Sequence, residues 1–157
     1  MTENTAEIIW ERGGQNFLDN RYSRKHIIRF DGGLEIPASS SPHIVPLPYS
    51  DANAVDPEEM MVAALANCHM LWFLSLAVKE GFRVDSYTDK AVGIMDKNTN
   101  GKLFLAQTTL SPHVTFSGEK IPCAGEFAKL HHTAHEECFI ANSVLTQIIC
   151  KPVLHNS

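Results

Sequence analysis

The stretch DPEEMMVAALANCHMLWFLSLAVKE, residues 56–80, constrains the fold more than any other part of the chain. Asp56 stands at an N-cap, Pro57 at the first helical position and Glu59 at the third, which together make an Asp-type capping box. Gly81 lies where a C-terminal cap belongs. From Met60 to Val78 apolar residues occupy nearly every face, interrupted only by Asn67, Cys68, His69 and Ser75. Such a helix has to be covered on most sides, by a sheet on one and a further element or partner subunit on another. Its longest unbroken apolar run, 60–66, stops far short of a membrane span, so no membrane partner is expected.

Short β-type runs surround this helix. Residues 6–10 (AEIIW) and 25–30 (KHIIRF) read as strands, 31–33 (DGG) as a turn, and 34–39 (LEIPAS) as the next strand of an antiparallel meander. Residues 38–55 are rich in Ser, Pro and Asn and form a loop longer than the usual ceiling of about 12–15 residues, a length often tied to function. Segments 82–95 and 102–118 flank DKNTNG, whose Asn100-Gly101 is a hairpin tip. Phe127, Leu130, Ala134 and Cys138 fall at helical spacing within 123–138, and 143–154 closes the chain as a strand. The order predicts one α+β domain over 1–157, with antiparallel sheet packed on two main helices.

With 44% apolar and 20% charged residues the composition is that of a globular protein. A net charge of −5, with Lys and Arg scattered, argues against a nucleic-acid surface. The first ten residues, MTENTAEIIW, lack the basic and apolar regions of a signal peptide, so a cytoplasmic location is expected. Cys68, Cys123, Cys138 and Cys150 form no CxxC pair, and a disulfide scaffold is not expected in that compartment.

Taken by themselves, the thiols point to no single chemistry. Desolvation in an apolar helix disfavours a Cys68 thiolate, so Cys68 is either a core thiol or a nucleophile that needs a cation from elsewhere. Arg21, Arg24 and Lys25 in RYSRKH are the candidates, and an arginine fork needs a carboxylate such as Glu58 to hold it. Glu58 and Glu59 also serve simply as first-turn acids that favour the helix dipole. Glu136 and Glu137 make Cys138 a poor first nucleophile and a better resolving thiol. Cys150, in an apolar run, reads as core. His131, His135 and Cys138 share one helix face at zinc-ligand spacing. A solvated helix face explains that pattern equally well, and no metal is assigned.

DPEEMMVAALANCHML, followed 70 positions later by AHEECFIANS, resembles the OsmC/Ohr family of thiol-dependent peroxidases, and the strand order extends the resemblance over nearly the whole chain. The resemblance implies an OsmC-like fold, an intertwined homodimer, and a central helix bearing the peroxidatic thiol. It assigns Cys68 as peroxidatic, Cys138 as resolving through a Cys68–Cys138 disulfide, Glu58 as the carboxylate that orients a catalytic arginine, and Arg24 in preference to Arg21 as that arginine. It further implies reduction of organic hydroperoxides, no bound cofactor, and recycling by an external lipoyl-type dithiol, possibly on a lipoylated protein. A redox sensor, or a binding protein for small hydrophobic molecules with inert thiols, are the alternatives. The chain departs from the family's best-known branch at His69, where an aromatic is typical, at Phe139, where proline is usual, and in the longer loop 38–55. Ten residues of straight helix separate Glu58 from Cys68 by about 15 Å. Either the helix breaks between them, or Glu58 and Arg24 reach Cys68 from a partner subunit.

Overall fold

In a computed structural model, which describes residues 1–156, the chain forms two compact units, residues 1–60 and the residues from Met61 onward. The first holds an antiparallel three-stranded sheet of β1 (Ala6–Ile9), β2 (His26–Phe30) and β3 (Glu35–Ala38). Ile28 stands opposite both Ile8 and Ile36 and is buried, as is Ala38 at the end of β3. The following loop is tied rather than free. Ser39 N–H donates to Val55 O, Asp51 N–H donates to Ser39 Oγ, and Lys25 pairs with Asp51 at 2.9 Å.

Helix α1 (Pro57–Lys79) starts as its sequence dictates. Glu59 N–H donates to Asp56 Oδ1 at 2.8 Å, and Asp56 N–H donates to Glu59 Oε2 at 3.2 Å, so the capping box is closed. The helix then runs without interruption to Lys79, which removes a break between Glu58 and Cys68. By length and composition α1 is apolar enough to cross a membrane, since isolated polar residues do not offset its hydropathy. Its buried face, however, is Leu65, His69, Phe73 and Ala77, at four-residue intervals. Phe73 and Ala77 belong to a core with Val114, Phe116, Phe127 and Leu130, so one stripe of the helix packs inside the chain while its other faces stay uncovered by it.

The second unit departs from the expected long hairpin. Each predicted strand is two: β4 (Arg83–Asp89) and β5 (Val92–Lys97), then β6 (Leu103–Leu110) and β7 (Pro112–Ser117). The halves enter different sheets, ordered β4-β7-β9 and β5-β6-β8. Asp89 and Ser111, at the two breaks, hold one another through a 2.7 Å bond from Ser111 N–H to Asp89 Oδ1. After α2 (Ala124–Glu137) and a short 3-10 turn (Ala141–Ser143), the predicted last strand also divides, into β8 (Gln147–Cys150) and β9 (Val153–Asn156). Pro152, which has no N–H for a ladder, falls between those two strands. Both pair in parallel, β8 with β6 and β9 with β7, because the chain returns through a helical crossover rather than a turn.

One contact sets how closely α1 lies on β5. A Cβ added to Gly93 would stand 2.5 Å from Val62 Cγ2 and 2.8 Å from Leu105 Cδ1. Gly93→Ala is therefore expected to lower stability by about 1–3 kcal/mol in denaturant melts, because the stiff valine cannot swing aside. An unchanged midpoint would mean the helix does not press on the sheet there.

Candidate functional site

Cys68 and Cys138 come together from opposite parts of the second unit. Cys68 is half-buried midway along α1; Cys138 ends α2 in extended backbone and is 1% exposed. Both are free thiols, and the two side chains lie close enough to act on one another, Cys68 helping to raise the Cys138 thiol. Ala141 N–H donates to Cys138 Sγ at 3.4 Å, holding the sulfur in the turn after α2. Trp72, one helical turn beyond Cys68, packs edge-on against Phe139, with ring centroids 5.5 Å apart. The thiol pair thus sits beside aromatic surface, and Phe139 itself is exposed.

Burial, followed by the neighbouring Cys68 side chain, pushes the Cys138 thiol up to about 11. Cys138 is consequently protonated at neutral pH. Its alkylation by iodoacetamide is expected to lag that of exposed Cys123 and to climb by about tenfold per pH unit until the pH nears that value. Peptide mass mapping across a pH series checks this, and a plateau below pH 9 would contradict it.

Arg24 and Glu58 both lie in the 1–60 unit. The Arg24 guanidinium donates through Nη1 to the carbonyls of Asn20 and Tyr22, and through Nη2 to Asn20 Oδ1 at 2.6 Å. It also stacks 3.8 Å above the Tyr22 ring. Within the chain its fork is thus held by Asn20 and Tyr22, with no ion pair to Glu58 among the described residues. Glu58 Oε2 is buried and has no hydrogen-bond partner, an acceptor available to a further donor. Arg24 also lines a pocket of about 420 Å³ walled by Trp10, Phe17 and Tyr22. Arg21 is exposed, and its backbone N–H donates to Asp19.

The helix face His131, His135 and Cys138 does not converge as one ligand set. Cys138 turns to Cys68, while His131 is buried against His69 and Cys150. His69 Nε2 and His131 Nδ1 are 3.0 Å apart, and Cys150 Sγ lies 3.8 Å from each of those two nitrogens. The imidazoles stack nearly parallel, 7° between planes, and Phe73 lies against His131 at 4.3 Å. Burial pushes His69 down to about 4 and His131 to about 3, so both rings are neutral at neutral pH. Burial, with Asp89 nearby, pushes the Cys150 thiol up to about 12. Sequence reading missed this cluster. The available signal was His69 itself, which shares its helix face with Leu65, Phe73 and Ala77 and so has to find a buried polar partner.

The match to the OsmC-like protein family covers residues 50–151. An OsmC-like protein of unknown function from Vibrio cholerae is similar at 51% identity, with 98% of this chain and 100% of that one aligned and a TM-score of 0.95. An organic hydroperoxide resistance protein from Elizabethkingia anophelis shares the fold at 18% identity, with 100% and 98% aligned and a TM-score of 0.66. The organic hydroperoxide resistance protein OhrB of Bacillus subtilis does so at 16% identity, 98% of each chain and a TM-score of 0.59. Among curated proteins none matches.

Proposed function

Because the chain belongs to the OsmC-like family, with a mixed α+β OsmC-like fold, we propose that it is a thiol-dependent peroxidase reducing organic hydroperoxides to alcohols. The observation that carries this reading is the contact between Cys68 and Cys138, thiols 70 positions apart in sequence. The Cys68 thiolate attacks one peroxide oxygen, the O–O bond breaks, and the alkoxide leaves and takes up a proton. Cys68 becomes a sulfenic acid, and Cys138 condenses with it to form a disulfide, releasing water. An external lipoyl-type dithiol, free or carried on a protein, reduces that disulfide and returns both thiols. No bound cofactor takes part in this scheme.

Activation of Cys68 is assigned to Arg24, whose guanidinium pairs with the attacking thiolate and hydrogen-bonds the leaving oxygen, with Glu58 as its orienting carboxylate. The unbroken course of α1 favours a two-fold homodimer in which the Arg24 and Glu58 serving one Cys68 belong to the other subunit. Only 22% of the most apolar window of α1 is buried within the chain, and Leu71 and Val78 stand exposed on it, which supports a partner subunit covering this helix. Aromatic surface at Trp72 and Phe139 favours bulky hydroperoxides over hydrogen peroxide.

The deciding experiment measures dithiol-dependent consumption of cumene hydroperoxide together with intact mass after one equivalent of peroxide. Turnover with a two-proton mass loss that maps to Cys68–Cys138 is expected. Stoichiometric oxidation without turnover would instead identify a sensor, and no oxidation at all would leave a binding protein with inert thiols.

A further inference from the structure

We propose that His69 Nε2, His131 Nδ1 and Cys150 Sγ form a binding site for a thiophilic transition-metal ion, zinc(II) by preference, with the fourth coordination position open. The three atoms make a triangle with sides of 3.0, 3.8 and 3.8 Å. The centre of such a triangle is about 2.1 Å from every corner, and an ion lifted roughly half an ångström from the plane meets both nitrogens and the sulfur at ordinary Zn–N and Zn–S lengths. A hydrogen bond between the rings accounts for the 3.0 Å side alone; the equal approach of the Cys150 sulfur to both nitrogens completes the ligand triangle. Among the described residues this is the set of three His, Cys, Asp or Glu side chains whose ligand atoms lie within 4.8 Å of one another.

The remaining polar atoms around the site leave this arrangement open. His69 Nδ1 and His131 Nε2 are buried without hydrogen-bond partners. In the metal-free pair one ring donates to the other, so one outer nitrogen is a bare acceptor and the other a stranded N–H. An ion uses both inner lone pairs and sends both ring protons to the outer nitrogens, and no fixed partner opposes that tautomer. Among the described residues no carboxylate or carbonyl accepts from either outer nitrogen, so the ion should be removable by chelators, unlike one in a fully braced site. Two imidazoles and a thiolate suit zinc or copper(I) and exclude magnesium and calcium.

Entry is provided by a pocket of about 300 Å³ bounded by His131, His132, His135 and Cys150. His131 and Cys150 both line this pocket, so it is the space from which a fourth, exogenous ligand would come. On binding, the Cys150 S–H bond breaks, the sulfur coordinates the ion, and the proton passes to solvent. The site is separate from the thiol pair: His69 follows Cys68 in sequence, but its ring faces His131 and Cys150 while Cys68 meets Cys138.

The test titrates the full-length, reduced protein with cobalt(II), then displaces it with zinc(II). One cobalt per chain is expected, with a thiolate-to-cobalt charge-transfer band and the visible bands of a tetrahedral ion. The Cys68→Ser/Cys138→Ser double variant should retain both sets of bands. Cys150→Ser should lose the charge-transfer band, and His131→Gln should weaken binding by at least about tenfold. X-ray absorption of the zinc-loaded wild-type protein, which does not depend on how the variants fold, should show two nitrogens and one sulfur from the protein. Absence of cobalt bands in the wild type overturns the proposal. So does their loss in the Cys68/Cys138 double variant, or a first shell containing two sulfurs.

Discussion

Cys68→Ser is expected to abolish dithiol-dependent hydroperoxide reduction, lowering kcat by at least about a thousandfold, the scale on which loss of an attacking group acts. A hydroxyl in the same half-buried position cannot supply a thiolate, and no other cysteine is placed to replace it. Cys138 is protonated by burial, Cys150 faces two neutral imidazoles, and Cys123 is exposed at the start of α2. Cys138→Ser is expected to behave differently. One equivalent of peroxide is consumed in a burst, after which Cys68 stays as a sulfenic acid that dimedone traps. The pair of variants separates attack from resolution. Full activity in Cys68→Ser would rule out the peroxidase mechanism, whatever the fold.

Phe73→Ala is expected to cost about 3–5 kcal/mol, the range for truncating a fully buried aromatic side chain. Phe73 is completely buried, and its ring meets Phe116 at 6.3 Å between centroids and Phe127 edge-on at 6.0 Å. It also stacks on His131 at 4.3 Å. Truncation leaves a cavity among side chains from α1, α2 and β7, which cannot all collapse inward at once. In a domain of this size the melting temperature should fall by roughly 10 °C. Phe73→Leu, which keeps much of the volume without a ring, should lie between the two. A shift smaller than about 2 °C for the alanine variant would show that this aromatic cluster does not hold the unit together.

Much of the architecture was legible because it is written in local chemistry. The capping box at Asp56 and Glu59 needs only three residues of spacing, and it forms as read. Helix α2 follows from Phe127, Leu130 and Ala134, all buried in the structure. Breaks within β-type runs were harder to see. At 89–91 no glycine or proline marks the division, and at 111 the turn is made by a backbone N–H bonding a side chain 22 residues away. Parallel pairing of β8 and β9 was likewise invisible, because a strand's own residues do not tell which neighbour a crossover will bring.

What the sequence determined by itself is therefore the set of elements, the apolar character of α1 and the two thiols that the family pattern singles out. Helix periodicity, capping and turn chemistry act over a few residues, so they are expressed wherever the residues occur. Tertiary structure alone decided which side chains meet. It set Cys138 against Cys68 and closed His69, His131 and Cys150 into a triangle across separations of 62 and 81 residues. Those contacts depend on how helices and sheets pack, a cooperative outcome of burying apolar surface that no short stretch encodes.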